Sequence, residues 1–132
     1  MKKTMAFGIM LICLTFAGCG MNKDGEFKTF TTDFENLTNE IVAKVEADPT
    51  ESGVDAGQAV MDGKKADLKT KRAAIKDACG IQVSQEVQKN FEDSMKRSSE
   101  KITGVMTKLS PEAIIKYQTL VKDWGDIVGA GQ

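Results

Sequence analysis

Apolar residues recur along this 132-residue chain at helical spacing, and nowhere do they alternate with polar ones over the length of a strand. Phe27, Phe30, Phe34, Leu37, Ile41 and Val45 follow one another at steps of three or four, which puts them on one face of a helix. Val54, Met61, Leu68 and Ile75 stand at sevens, with Val60, Ala66 and Ala74 beside them, and predict a second helix from about residue 50 or 53 to about 78. Val87, Phe91, Met95, Ser98, Ile102, Val105 and Leu109 mark a third, from about 84 to about 109, whose stripe only Ser98 interrupts. Ile114, Tyr117, Val121, Trp124 and Val128 mark a fourth. The chain has no Asn-Gly hairpin turn and no repeat of solenoid length. Four amphipathic helices with short connections predict an all-α fold, a small antiparallel up-and-down four-helix bundle.

The joints between the stripes agree with that reading. Pro49 pushes Asp48 out of the helical region, and two overlapping capping boxes follow, Asp48 with Glu51 and Ser52 with Asp55. Gly80 is a C-terminal stop for the second helix. Leu109-Ser110-Pro111-Glu112 is the strongest local signal: a serine cap, proline at the first helical position, an acidic first turn, and Leu109 set to pack on Ile114. Within the second helix Gly57 and Gly63 each cost about 1 kcal/mol against alanine, and so predict close approach of a neighbour or a softer segment. Ser98 is expected to bond back to a carbonyl one turn earlier rather than to mark a ligand cavity. Tyr117 and Trp124, the single tyrosine and tryptophan, read as core anchors with a polar atom satisfied at the rim.

Ahead of the helices, Lys2 and Lys3 precede an apolar run from Met5 to Phe16, which ends in Phe16-Ala17-Gly18-Cys19. A cationic start, a short apolar segment and small residues before a cut define a secretory signal peptide. The run is shorter than the roughly 20 residues of a spanning helix, and Asn22-Lys23-Asp24 follows closely. Phe16, Ala17, Gly18 and Cys19 resemble the bacterial lipobox recognised by the lipoprotein signal peptidase, with Phe16 where leucine is usual. The resemblance implies that Cys19 becomes the mature N-terminus, carrying diacylglycerol by a thioether and an N-linked acyl chain of the palmitate type. It also implies outer-membrane residence in a diderm host, because Gly20 stands where an aspartate would favour the inner membrane. The resulting division is residues 1–18 as signal peptide, 19–26 as lipidated cysteine and tether, and 27–132 as the helical domain. Residues 48–76 are faintly similar to stretches of short bacterial lipoproteins, and no activity attaches to that likeness.

Composition excludes much chemistry. There is no histidine, which removes the commonest general base, the serine triad and most zinc arrangements. No phosphate loop, EF-hand loop or paired-cysteine motif occurs, and carboxylate pairs such as Glu92-Asp93 sit among polar neighbours. No catalytic residue, metal ligand or cofactor beyond the lipid on Cys19 is therefore expected. Of the three cysteines, Cys13 leaves with the signal and Cys19 carries lipid, so Cys79 is the one remaining thiol, expected buried or in an intermolecular disulfide. The net charge of −1 lacks the basic field that nucleic-acid binding requires.

Charge is distributed unevenly. Acids dominate the first helix and the joint after it, whereas Lys65, Lys69, Arg72 and Lys76 form a stripe along the second. That stripe is expected to face the acidic first helix or water, or more sharply to contact an anionic surface such as lipid headgroups, lipopolysaccharide or an acidic partner. The expectation for function is a non-catalytic, lipid-anchored cell-envelope protein that works by contact with another envelope protein or the membrane surface. The alternative is a carrier or sensor holding a small apolar ligand between its helices, which requires a cavity larger than about 300 Å³. The first prediction concerns the anchor: Cys19→Ser should abolish detergent-phase partitioning of the protein. A mutant processed and retained in membranes like the parent would remove the lipoprotein reading.

Overall fold

The computed structural model describes residues 23–75 and 83–129. The lipobox with Cys19, Lys76, Cys79 and Gly80 lie outside the described residues. Helix α1 spans Asp24–Ala47, with Asp24 and Glu26 in its first turn and Lys44 in its last, each suited to the helix dipole. It begins inside the stretch expected as tether. Helix α2 spans Glu51–Ile75, so the earlier of the two expected starts is the one used; Thr50 Oγ1 donates to Asp48 Oδ1 at 2.6 Å in the turn before it. Helix α3 spans Gln85–Gly104 and tightens into a 3-10 turn over Val105–Lys108. Ser84 caps it, accepting from the Val87 amide at 3.3 Å. Helix α4 spans Pro111–Gly129, and the Ser110 hydroxyl accepts from the Ala113 amide at 3.4 Å as the cap motif requires. The Ser110 amide donates to the Pro49 carbonyl at 3.1 Å, pinning the two loops at this end together.

Polar pairs across the seams give the direction of each helix. Asp33 meets Lys71 and Glu40 meets Lys64, so α1 and α2 are antiparallel. Glu35 meets Arg97 and Glu46 meets Lys108, so α3 runs parallel to α1. Asp55 meets Lys116 and Lys65 meets Asp123, so α4 runs parallel to α2. Consecutive helices thus alternate up and down in an all-α four-helix bundle. The close seams, however, are α1 with α2, α1 with α3 and α2 with α4. Helix α3 lies beside α1 rather than beside the helix that precedes it, and α3 and α4 approach each other less closely than those three pairs do.

The core follows the sequence stripes on α1 and α2: Phe30, Phe34, Leu37, Ile41, Val45, Met61, Leu68 and Ile75 are all but completely buried. Each such side chain contributes about 1.5–3 kcal/mol by leaving water. Ala66 and Ala74 are exposed, which corrects their expected place in the stripe; the sevens, with the partly covered Val60 beside them, carry the seam. Trp124 crosses the middle of the bundle and stacks at a tilt on Phe34, with ring centroids 5.0 Å apart. Its Nε1 donates to Thr38 Oγ1 at 2.8 Å, and Thr38 Oγ1 donates onward to the Phe34 carbonyl at 2.9 Å. The indole is therefore satisfied in the interior and not at the rim.

Helix α4 turns a different face inward from the one expected. Ala113, Leu120 and Ile127 join Tyr117 and Trp124 in the core, whereas Ile114, Val121 and Val128 are only partly covered. Gly57 fulfils the close-approach expectation: a Cβ there would lie 3.3 Å from Leu120 Cδ1 and Val45 Cγ2. Gly63 does not, since a Cβ there would meet nothing within 4 Å. Gly53 is the position that tolerates no side chain, because its Cβ would fall 1.6 Å from the Asp48 carbonyl oxygen. Accordingly Gly63→Ala should stabilise the domain by about 1 kcal/mol through helix propensity. Gly53→Ala should destabilise it by more than about 1 kcal/mol by displacing the Asp48-Pro49 turn. Chemical denaturation of both variants checks the pair, and similar shifts in the two would contradict this packing.

Candidate functional site: the α3–α4 face

Three of the bundle's seams are closed at their edges by polar side chains. Between α1 and α2 these are the Lys64–Glu40 and Lys71–Asp33 pairs, the first at 2.7 Å. Between α1 and α3, Ser94 donates to Glu35, Arg97 lies 3.3 Å from the same carboxylate, and Lys101 donates to Asn39 at 2.9 Å. The Ser94 hydroxyl, followed by the Arg97 charge, holds the Glu35 carboxyl below the usual range despite partial burial. Between α2 and α4, Lys116 meets Asp55 at 3.0 Å and Gln58 donates to Asp123 at 3.1 Å. The hydrogen bonds that Lys71 donates to Asp33 and Lys116 donates to Asp55 raise the pKa values of the two lysines.

The fourth seam has no such ladder. Among the described residues, one hydrogen bond links α3 to α4, from the buried Tyr117 hydroxyl to the Ile102 carbonyl. Burial raises the Tyr117 pKa well above its ordinary value, so the phenol stays a donor. On α3 the polar residues that reach α1 (Ser94, Arg97, Lys101) occupy one flank of the buried stripe and, at 100° per residue, Met95 occupies the other, while Phe91 packs inward on the Phe27 and Phe30 rings of α1, with centroids 5.4 and 6.1 Å away. On α4 the residues that reach α2 (Lys116, Asp123, and Leu120 against Gly57) likewise leave Ile114, Val121 and Val128 on the α3 side. Of the eight partly covered apolar residues packed on the core, only Val42 and Val60 belong to α1 and α2; the rest lie on α3, its 3-10 turn and α4. Ile115, the one large exposed apolar residue among those described, is 70% exposed and also sits on α4.

Arg72 closes one end of this seam. Its Nε donates to the Val128 carbonyl at 2.9 Å, near the C-terminus of α4, and its guanidinium lies 5.8 Å from the Phe91 ring centroid. Desolvation there lowers its pKa. Phe91 is therefore level with Val128, the same offset that joins Ile102 to Tyr117. Ser98 falls on this seam at the level of Val121. Its Oγ is buried without a hydrogen-bond partner, so the expected bond to the preceding turn is not made.

The stripe Lys65, Lys69, Arg72 and Lys76 is divided by the structure. Lys65 pairs with Asp123 at 3.4 Å, Arg72 is engaged as above, Lys69 is half-buried, and Lys76 lies outside the described residues. The stripe borders α4; the bases that face the acidic α1 are Lys64 and Lys71. Depressions of about 400 to 480 Å³ flank α1, lined by residues such as Gly25, Thr29, Lys71 and Ala74, or Asn39, Val42, Lys101 and Lys108. They open to solvent along the α1 seams and do not reach Ser98. No metal-capable group of carboxylates and cysteine exists among the described residues. No protein-family model, no curated protein and no solved structure significantly matches this chain.

Since Tyr117 is the polar tie across the open seam, Tyr117→Phe should lower stability by about 1 kcal/mol. It should also speed amide exchange in the second half of α3 ahead of α1. Exchange that rises equally in all helices would show that the bond does not hold α3 to α4.

Proposed function

We propose that this is a non-catalytic, lipid-anchored cell-envelope protein that acts by contact with another envelope protein, with α3–α4 as its contact face. The observation that carries the reading is the open seam itself: partly covered apolar side chains gathered on one face that has no polar ladder at its edges. The anchor is Cys19 with its diacylglycerol and N-acyl chain, supported by the lipobox resemblance. Confinement to one leaflet raises the local concentration of the face, so a modest contact is well occupied. In a diderm host that leaflet belongs to the outer membrane. Direct binding to anionic headgroups is the weaker form of the proposal, because Lys65 and Arg72 are already engaged within the bundle. The carrier reading draws no support from depressions that are open and edged with charge.

The test is site-specific photo-crosslinking of the full-length lipidated protein in its membrane. A probe at Gln118, on the proposed face, should give a protein adduct; one at Asn36, between α1 and α2, should not. Lipid adducts alone at Gln118, or equal protein adducts from both positions, would overturn the reading.

A further inference from the structure

We infer that the partner on the α3–α4 face is a second copy of this chain, docked antiparallel about a two-fold axis that crosses the face at the level of Met95 and Gly125. The inference rests on the contact reading above and adds the identity and orientation of the partner. It comes from four charged residues on this face that make no ion pair among the described residues: Glu92 and Lys96 on α3, Lys122 and Asp126 on α4. All four are exposed, and at 100° per residue they lie on the outer crests that border the open seam. Glu92 accepts only a 3.4 Å bond from Gln88 of its own helix.

Each crest carries opposite charges four residues apart. Such a pair, read in the reverse direction, is its own complement: an antiparallel copy of α3 sets Glu92 against Lys96 of the other molecule and Lys96 against its Glu92. The same holds for Lys122 and Asp126 on α4. One axis must serve both helices, and the structure meets that condition. The Tyr117–Ile102 bond and the Arg72 contacts with Phe91 and Val128 fix how α3 and α4 stand beside each other. In that register the midpoint between Glu92 and Lys96 lies within about one residue, or about 1.5 Å, of the midpoint between Lys122 and Asp126. A two-fold axis there matches both crests at once, as an isologous interface requires.

The alternative symmetry, with its axis along the bundle, fails on the same residues. It would set Glu92 against Asp126 and Lys96 against Lys122, like charge against like. Along the chosen axis the partly covered Met95 and Val121 of one copy approach those of the other. Gly125 leaves the middle of the face flat, since a Cβ there would meet nothing within 4 Å in the single chain. Two helices about 30 Å long and about 10 Å wide offer about 600 Å² per copy, below the roughly 800 Å² of a standard interface. Confinement in a membrane compensates for that shortfall.

The experiment uses the full-length lipidated protein in liposomes or mild detergent. Nitrogen-14 and nitrogen-15 labelled copies are mixed and treated with a zero-length carboxyl-to-amine coupling reagent. Mixed-isotope links from Glu92 to Lys96 and from Asp126 to Lys122 are expected; mixed links from Glu92 to Lys122 alone, or none, would overturn the proposal. In parallel, Glu92→Lys with Asp126→Lys makes both crests positive, and Lys96→Glu with Lys122→Glu makes both negative. Each variant alone should self-associate about tenfold more weakly or worse, and mixing the two should restore association. Unchanged self-association, or no rescue on mixing, would sink the two-fold arrangement. A foreign protein captured at Gln118 with no self-association would leave the contact reading standing and remove the second copy.

Discussion

The Trp124 indole N–H governs the arrangement of the rest. A buried donor without an acceptor costs about 1–3 kcal/mol, and apart from Thr38, Ser94 and Ser98 the described core is apolar. Thr38 Oγ1 is the acceptor, and its own hydrogen goes to the Phe34 carbonyl, so Trp124, Thr38 and Phe34 form one satisfied chain from α4 into the backbone of α1. That bond fixes the height of α4 against α1 and, with the large ring wedged on Phe34, its rotation. Once Trp124 points at Thr38, helical geometry brings Leu120 and Ile127 inward on the α2 side and leaves Val121 and Val128 on the other. The α4 half of the partly covered apolar face is therefore a geometric consequence of where a single indole found its hydrogen bond.

Electrostatics then distinguishes the seams. Individual exposed ion pairs contribute about 0–1 kcal/mol, too little to hold a bundle together. Their effect lies in choosing neighbours: Arg97 and Lys108 match the acids of α1 only if α3 runs parallel to it, and Lys116 matches Asp55 only if α4 follows α2. With α1 and α2 committed to these neighbours, α3 and α4 close the ring with Tyr117 as their single polar tie among the described residues. Arg72 reinforces that closure from one end by joining the last turn of α4 to the Phe91 ring.

Helix number, direction and the faces of α1 and α2 were legible in the sequence because their apolar residues are large and narrowly spaced. Val54, Met61, Leu68 and Ile75 admit only one inward face. On α4 the apolar residues cover nearly half the circumference, so Ile114, Val121 and Val128 formed as good a stripe with Tyr117 and Trp124 as Ala113, Leu120 and Ile127 do. Alanine at 113 gives no signal, being acceptable inside or out. Thr38 carried none either: its role depends on a tryptophan 86 residues away. The basic stripe on α2 was visible as a stripe, but its neighbour was not, since acids on α1 and Asp123 on α4 satisfy lysine equally well. The absence of a ladder between α3 and α4 can be read only after adjacency is known. The same is true of the charges on their crests that make no ion pair among the described residues.

A tether at one end and a contact face along the side place different demands on orientation. In the proposed anchoring, each bundle is attached through the residues before Lys23, at the end that also holds the C-termini of α2 and α4. Two copies docked antiparallel would carry their anchors at opposite ends of a body about 35 Å long. Both anchors enter one leaflet only if the bundles lie along the membrane with the two-fold axis normal to it. The axis inferred from Glu92, Lys96, Lys122 and Asp126 lies in the contact plane and perpendicular to the helices, so it can stand along that normal without tilting either copy away. The face then lies perpendicular to the bilayer and its apolar residues meet those of the other copy instead of lipid. Partial coverage of those same side chains limits what a single chain exposes to water, so under the proposed anchoring nonspecific association would stay low until lateral confinement supplied the concentration that the proposed contact needs.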